Sequence, residues 1–462
     1  MVNEHFISPD LIRAKFSAKM SVMYQQEVPL YGDLMSLVAE VNRDTLMANP
    51  ELKAQLMQTD ELARLDEERH GAIRLGTADE LHMMRRLFAV MGMLPVGYYD
   101  LTPAGVPVHS TAFRAIDEDS LRISPFRVFT SLLRLELIED PVLREEILEI
   151  LAARKIFSDE AISLIEKSEK QGGLSESDAD FFVAEVLKTF CWHQNSTVTK
   201  AQYQLLHDQH RLIADVVAFK GPHINHLTPR TLDIDAVQRL MPEKGITPKA
   251  VIEGPPTRKC PILLRQTSFK ALSEKVRFMD QSLGEDAGSH TARFGEIEQR
   301  GVALTPKGRR LYDALLNKTR AEMGGSANES NSDRYYELLA KNFVDFPDDY
   351  TELHDQELAY FAYYPTDSGR AKAGTFNAGD LKSLIAEGAL QIEPIVYEDF
   401  LPVSAAGIFQ SNLGEGDQAE YAVDSNKTQF EEAIGIKVLN ELKLYAEHSA
   451  RTLAEAKAVL RI

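Results

Sequence analysis

Histidine is the residue through which proteins most often hold a transition metal, and this chain offers one in each of two stretches built to the same template. His70-Gly71-Ala72-Ile73-Arg74 recurs as His226-Leu227-Thr228-Pro229-Arg230, a shared H-x-x-x-R. Each is followed by an amphipathic segment and then by G-x-x-P, at Gly92–Pro95 and Gly245–Pro248. The His-to-Gly spacing is 22 residues in one copy and 19 in the other. Such self-similarity marks a duplicated structural unit. Two pseudo-symmetric units packed together could bring both imidazoles to one metal ion. In a strand, His70 and Arg74 share a face, at an expected separation of roughly 7 Å. A guanidinium there could hold a substrate carboxylate with two parallel hydrogen bonds; the competing reading is an internal salt bridge. Arg230 follows Pro229, and a structural role is expected for it.

The elements that must position these residues follow from periodicity. HGAIRLGT reads as a strand, ADELHMMRRLFAVMGM as a helix with an acidic first turn, and GYYDL, VHSTAFRAI and ISPFRVFTSLL as three strands. HINHLTPR, DIDAVQRLMPEKG, AVIEG, ILLRQTSFKAL and RFGEIEQRGVAL repeat the order β-α-β-β-β. The expected organisation is an N-terminal helical region (1–60), a first unit (61–130), a helical insertion (131–220), a second unit (221–323) and a C-terminal extension (334–462). The polar stretch GGSANESNSD (324–333) separates the last two, and one terminal helix is expected over about 429–460.

The whole composition narrows the partners. The chain has 462 residues, 44% hydrophobic and 26% charged, with a net charge of −19. That charge disfavours nucleic acid and anionic membrane, and an anionic small substrate would need a local basic pocket. No apolar run reaches the ~20 residues of a membrane span. The start MVNEHFISPD lacks a signal pattern, and Cys191 and Cys260 form neither a disulfide framework nor a CxxC site. A reduced, cytoplasmic protein is expected, with the oligomeric state left open.

A repeated β-α-β-β-β unit resembles the vicinal-oxygen-chelate superfamily. That resemblance implies an α+β fold in which two paired units form a partial barrel around a divalent metal. Arg293-Phe294-Gly295-Glu296-Ile297-Glu298-Gln299-Arg300 resembles the F-F-E-I-I-Q-R segment of hydroxyphenylpyruvate dioxygenases, whose single Glu binds iron. By position that residue is Glu296. Glu298 replaces an apolar residue and shares a strand face with Glu296, so the sequence leaves both open. The implied ligand set is His70, His226 and Glu296. Two imidazoles and one carboxylate on one side of an octahedron suit Fe(II) handling O2 with a chelating substrate. His223 is an alternative to His226, which the repeat favours. His109, His193, His207 and His210 have no partner pattern and are read as structural or solvated.

A closer resemblance is to the 2-oxoadipate dioxygenase/decarboxylases, also called hydroxyglutarate synthases. It is carried by HGAIRLGT, GPHINHLTPR, RFGEIEQRG with ALTPKGRRLYD, and YEDFLPVSAAGIF, spread over about residues 60–410. It implies metal ligands His70, His226 and Glu296, a substrate-binding Arg74, and a C-terminal loop reaching substrate through Val403 and Ser404. The implied reaction takes 2-oxoadipate and O2 to 2-hydroxyglutarate and CO2, within lysine catabolism, with Fe(II) as cofactor. The substrate is its own 2-oxo acid, so no second one is required. The competing readings are a glyoxalase-like isomerase or lyase using Zn(II) or Ni(II), and a non-catalytic small-molecule binding protein of the same fold. A second metal-binding Glu would favour the isomerase, and SPFRVFTSLL, the matching strand of the first unit, has no acid.

Overall fold

Both H-x-x-x-R stretches become strands, and the two strands pair with each other. In the computed structural model, which describes residues 6–58, 61–281, 288–325, 327–376, 381–401 and 417–462, β1 (Glu68–Leu75) opens the first repeat. It is followed by helix Ala78–Val90, β2 (Leu94–Asp100), β3 (Val108–Arg114) and β4 (Arg127–Leu133). The second repeat runs through β5 (His226–Pro229), helix Ile234–Leu240, β6 (Leu264–Ser268), β7 (Ser273–Val276), β8 (Gly288–Thr291) and β9 (Phe294–Arg300). Seven of these strands form one sheet in the order β2-β3-β4-β1-β5-β9-β6, and β7 and β8 make a separate hairpin. Isolated bridges Pro248↔Phe269 and Glu253↔Gln266 place the segment before β6 along its outer edge. Each half therefore reads first, fourth, third and second strand from the centre outward, the arrangement of paired βαβββ units.

Register fixes the symmetry. β1 and β5 are antiparallel, with His70 opposite Thr228, Gly71 opposite Leu227 and Ala72 opposite His226. Exchanging the two repeats maps His70 onto His226 about the Gly71–Leu227 pair. Each first strand lies parallel to its own fourth strand: Ala72 is level with Phe129, and His226 with Phe294. The Arg230–Glu298 bridge carries the second register onward, which sets Glu296 level with Thr228.

The local sequence accounts for these elements. Helix Ala78–Val90 starts on a capping box between Thr77 and Glu80 and buries Leu81, Met84, Leu87 and Phe88 along one stripe. Both glycines of the repeated G-x-x-P take left-handed backbone, with φ of 67° at Gly92 and 74° at Gly245. That conformation ends the helical segment of each repeat at low steric cost. The face of β1 and β9 away from the histidines is closely covered. A Cβ on Gly295 would lie 2.6 Å from Phe269 and 2.7 Å from Tyr31, the latter in helix Pro29–Ala48.

Two expectations need correction, and one hairpin was not anticipated. AVIEG is not a strand; it makes only the Glu253↔Gln266 bridge, because Gly254 turns at φ 108° and Pro255 and Pro256 supply no N–H. The polar β7–β8 hairpin is an insertion without apolar alternation. The single terminal helix is two, Asp417–Ile434 and Glu441–Leu460, separated at Gly435 with φ 76°.

The chain folds as two compact units: Met1–Lys249, Thr267–Glu298 and Pro402–Leu439 in one, Ala250–Gln266, Gln299–Leu401 and Asn440–Ile462 in the other. The first contains the N-terminal helices Pro9–Glu27, Pro29–Ala48 and Pro50–Gln58. Five helices, from Pro141–Ala153 to Arg211–Val217, lie between β4 and β5. The second packs helices Pro306–Met323 and Ser332–Asn342, the pair β10 (Phe361–Pro365) and β11 (Leu390–Pro394), and helix Glu441–Leu460. Tyr312, Leu339, Phe343, Phe361 and Leu460 belong to its core. No helix among the described residues is long and apolar enough to cross a membrane.

Candidate metal centre

The sheet places His70, Thr228 and Glu296 on one rung across β1, β5 and β9, with His226 one rung along on β5. Alternation puts all four side chains on one face. The ligand atoms of His70, His226 and Glu296 lie within 4.8 Å of one another, and all three residues are buried. His70 Nε2 is 2.9 Å from Glu296 Oε1, and His226 Nε2 is 3.8 Å from the same oxygen. Thr228 Oγ1 stands between them, 3.2 Å from His70 Nε2 and 3.2 Å from Glu296 Oε1. The rings are perpendicular, with centroids 5.5 Å apart, and His226 stacks on Phe294 at 4.7 Å.

The two glutamates that the sequence left open meet opposite edges of His70. Glu296 faces Nε2, whereas Glu298 Oε2 lies 2.9 Å from Nδ1. Arg69 stands 3.5 Å from the other oxygen of Glu298. A carboxylate behind a histidine fixes the tautomer and ring plane of a ligand. The geometry thus assigns different places to residues that strand periodicity treats alike.

The titration of these groups follows from burial and charge. Burial pushes His70 down, but Glu296 and Glu298 outweigh it and raise the imidazole above its ordinary value. His226 has no such compensation: burial dominates and holds it at about 3, a neutral imidazole. Burial pushes Glu296 up, yet His226 and His70 prevail and keep it below the ordinary carboxylate range. His226 Nδ1 is buried without a hydrogen-bond partner among the described residues. Two imidazoles and one carboxylate, buried and convergent, are a donor set that could hold a metal ion.

The symmetry of the repeats is broken at one point. The residue related to Glu296 is Phe129, which is level with Ala72 on β4 and buried. An apolar ring therefore occupies the position related to Glu296.

Arg74 lies on the same strand as His70. Four residues of strand rise to about 13 Å, nearly twice the separation expected from the sequence. Its Nη1 donates to Asp215 Oδ2 at 2.6 Å, and its side chain remains 18% exposed. Arg230 pairs with Glu61, in keeping with a structural role. His223 joins Asp215 and His290 in a second cluster, apart from the centre that His226 enters. His109 packs against Phe430 with burial holding it at about 4, and His210 caps helix Arg211–Val217. Val403 and Ser404 lie outside the described residues. The sequence reading missed Thr228, Asp215 and His290. Asp215 left a trace, as the one acid in the otherwise apolar run LIADVV; His290 left none.

A buried two-histidine, one-carboxylate cluster on a sheet of two paired βαβββ units is a donor set that could hold a metal ion. The family model for 2-oxoadipate dioxygenase/decarboxylase matches residues 16–412, and the chain belongs to that family. It is 62% identical over 458 residues to the 2-oxoadipate dioxygenase/decarboxylase of Pseudomonas putida, covering 99% of this chain and 98% of that one. It is 56% identical over 447 residues to the protein of the same name from Escherichia coli, covering 96% and 98%. Among solved structures, hydroxyglutarate synthase from Pseudomonas putida in complex with 2-oxoadipate superposes with a TM-score of 0.93 at 60% identity, covering all of both chains.

Proposed function

We propose that this chain converts 2-oxoadipate and O2 into 2-hydroxyglutarate and CO2 at an Fe(II) ion held by His70, His226 and Glu296. The observation that carries this reading is the broken symmetry of the centre. One carboxylate and two imidazoles converge, and Phe129 stands where a second metal-binding carboxylate would favour isomerase chemistry. The substrate follows from the relative in complex with 2-oxoadipate and from the family the chain belongs to.

Each residue has a distinct task. Glu296 would supply the ligand charge, and Glu298, whose Oε2 lies 2.9 Å from His70 Nδ1, would hold the imidazole with Nε2 towards the ion. His226, neutral across the working pH range, needs no deprotonation to act as a ligand. Fe(II) would supply open coordination positions and the electrons that activate O2. Arg74, about 13 Å along the strand from His70, would bind the carboxylate at the far end of the diacid. Its side chain and the length of the substrate close the gap. The Val403–Ser404 loop is assigned to the same pocket by resemblance. Phe129 and Phe294 keep the reacting end dry. The unpaired Cys191 and Cys260 support a reducing cytosol, and lysine breakdown is the role this reaction implies.

The test is anaerobic loading with Fe(II), followed by O2 uptake with 2-oxo diacids of differing chain length. Uptake should be equimolar with CO2 release and greatest for 2-oxoadipate. Turnover supported by Zn(II) or Ni(II) without O2 would contradict the proposal.

A further inference from the structure

The second buried cluster of the first unit comprises Asp215, His223 and His290, with ligand atoms within 4.8 Å of one another. Asp215 Oδ1 meets His223 Nε2 at 3.1 Å and His290 Nε2 at 2.8 Å. Its Oδ2 accepts from Arg74 Nη1 at 2.6 Å and from Asn225 Nδ2 at 3.2 Å. Beyond it, Tyr203 Oη lies 2.8 Å from His290 Nδ1. Four donors converge on one carboxylate, so the convergence is explained without an ion. Charge supports the same view. Arg74 and Asp215 cancel, and a divalent cation added beside the guanidinium would leave uncompensated positive charge in a buried place. At the His70 centre, by contrast, Glu296 and Glu298 both face the histidine.

We infer that Asp215 is a positioning residue for Arg74, and through it a determinant of specificity for a 2-oxo diacid. The inference rests on the reading of Arg74 as the residue that binds the substrate carboxylate. His223, His290 and Asn225 fix the Asp215 carboxylate, and that carboxylate fixes one edge of the guanidinium. Nη1 is the one guanidinium nitrogen of Arg74 with a hydrogen-bond partner among the described residues, and the side chain is partly open. The remaining N–H groups are therefore free to meet a ligand. A free arginine side chain carries about 2 kcal/mol of rotamer entropy. Ordering it before substrate arrives removes part of that cost from binding. Asp215 thus favours diacids without touching them.

The test uses full-length, iron-loaded protein and the variant Asp215→Asn, beside Arg74→Lys. The KM for 2-oxoadipate should rise about tenfold or more in Asp215→Asn, with kcat within about twofold and iron content unchanged. The preference for 2-oxoadipate over 2-oxohexanoate, which lacks the distal carboxylate, should fall by a similar factor. If Arg74→Lys raises KM and Asp215→Asn leaves KM and preference as in the parent, the positioning role is overturned while the reading of Arg74 stands. If neither variant changes KM, both are overturned. A parent protein holding a second metal equivalent that Asp215→Asn loses would also overturn the proposal, in favour of a metal site. Should Asp215→Asn not accumulate as folded protein, His290→Phe keeps a ring but removes one of the donors that fix the Asp215 carboxylate beside Arg74. A raised KM at unchanged kcat then supports the role, and an unchanged KM defeats it.

Discussion

His70 lies between two carboxylates, and their removal should have unequal results. Glu296→Ala takes away the one charged member of the proposed ligand set, and the protein should then retain no metal after dialysis. Glu298→Gln keeps the bulk behind Nδ1 but weakens the acceptor, so metal affinity should fall by about 10–100-fold without vanishing. Metal analysis and competition with a chelator would measure both; the reverse ranking would exchange the roles of the two glutamates. Asp215 makes a different kind of prediction. Burial pushes its carboxyl up, but the nearby His223 and Arg74 outweigh burial and hold it well below the ordinary value. A pKa lower in the folded than in the unfolded state stabilises the fold fully above the ordinary carboxylate range. That contribution disappears as pH falls through the unfolded value towards the folded one. Urea unfolding at stepped pH from about 5 to 3 should therefore show a shallower loss of stability for Asp215→Asn than for the parent. Equal slopes would mean that Asp215 does not carry the buried charge.

At the scale of elements, the close cover behind β9 holds Glu296 in place. Gly295→Ala would push a methyl group towards the rings of Phe269 and Tyr31, at 2.6 Å and 2.7 Å before relaxation. The expected loss is about 1–3 kcal/mol of stability, with weakened metal binding because the next residue, Glu296, is the proposed ligand. Urea unfolding of the metal-free protein separates the two effects; an unchanged midpoint would mean that the rings yield freely. Much of this level was legible in the sequence. The repeated H-x-x-x-R and G-x-x-P marked both first strands and both left-handed glycines, because backbone demands of that kind select residue type directly. What failed had weak or ambiguous local marks. AVIEG has the apolar content of a strand, but the turn at Gly254 and the two prolines after it limit its pairing. The β7–β8 hairpin is polar and carried no period-two pattern. Glu296 and Glu298 could not be separated because a period of two treats them alike. Only the ring of His70, presenting Nε2 to one and Nδ1 to the other, distinguishes them. Asp215 and His290 are far from each other in sequence and meet only through tertiary packing.

For the whole molecule, a chain of net charge −19 acting on an anionic diacid needs positive charge concentrated near the site. Arg74 and Lys249 both act electrostatically on His226, and Lys249 also lies 5.4 Å from the ring of Phe294. The family match spans residues 16–412, so both repeats and the helices between them belong to the shared framework. The central claim is that a single centre couples loss of CO2 to hydroxylation of the same molecule with O2. The direct measurement is turnover of 2-oxoadipate by the Fe(II)-loaded protein under 18O2, with mass analysis of the product. One oxygen atom from O2 should appear in the new carboxylate of 2-hydroxyglutarate and the other in its hydroxyl group. Product whose new oxygen atoms both come from water would contradict the account.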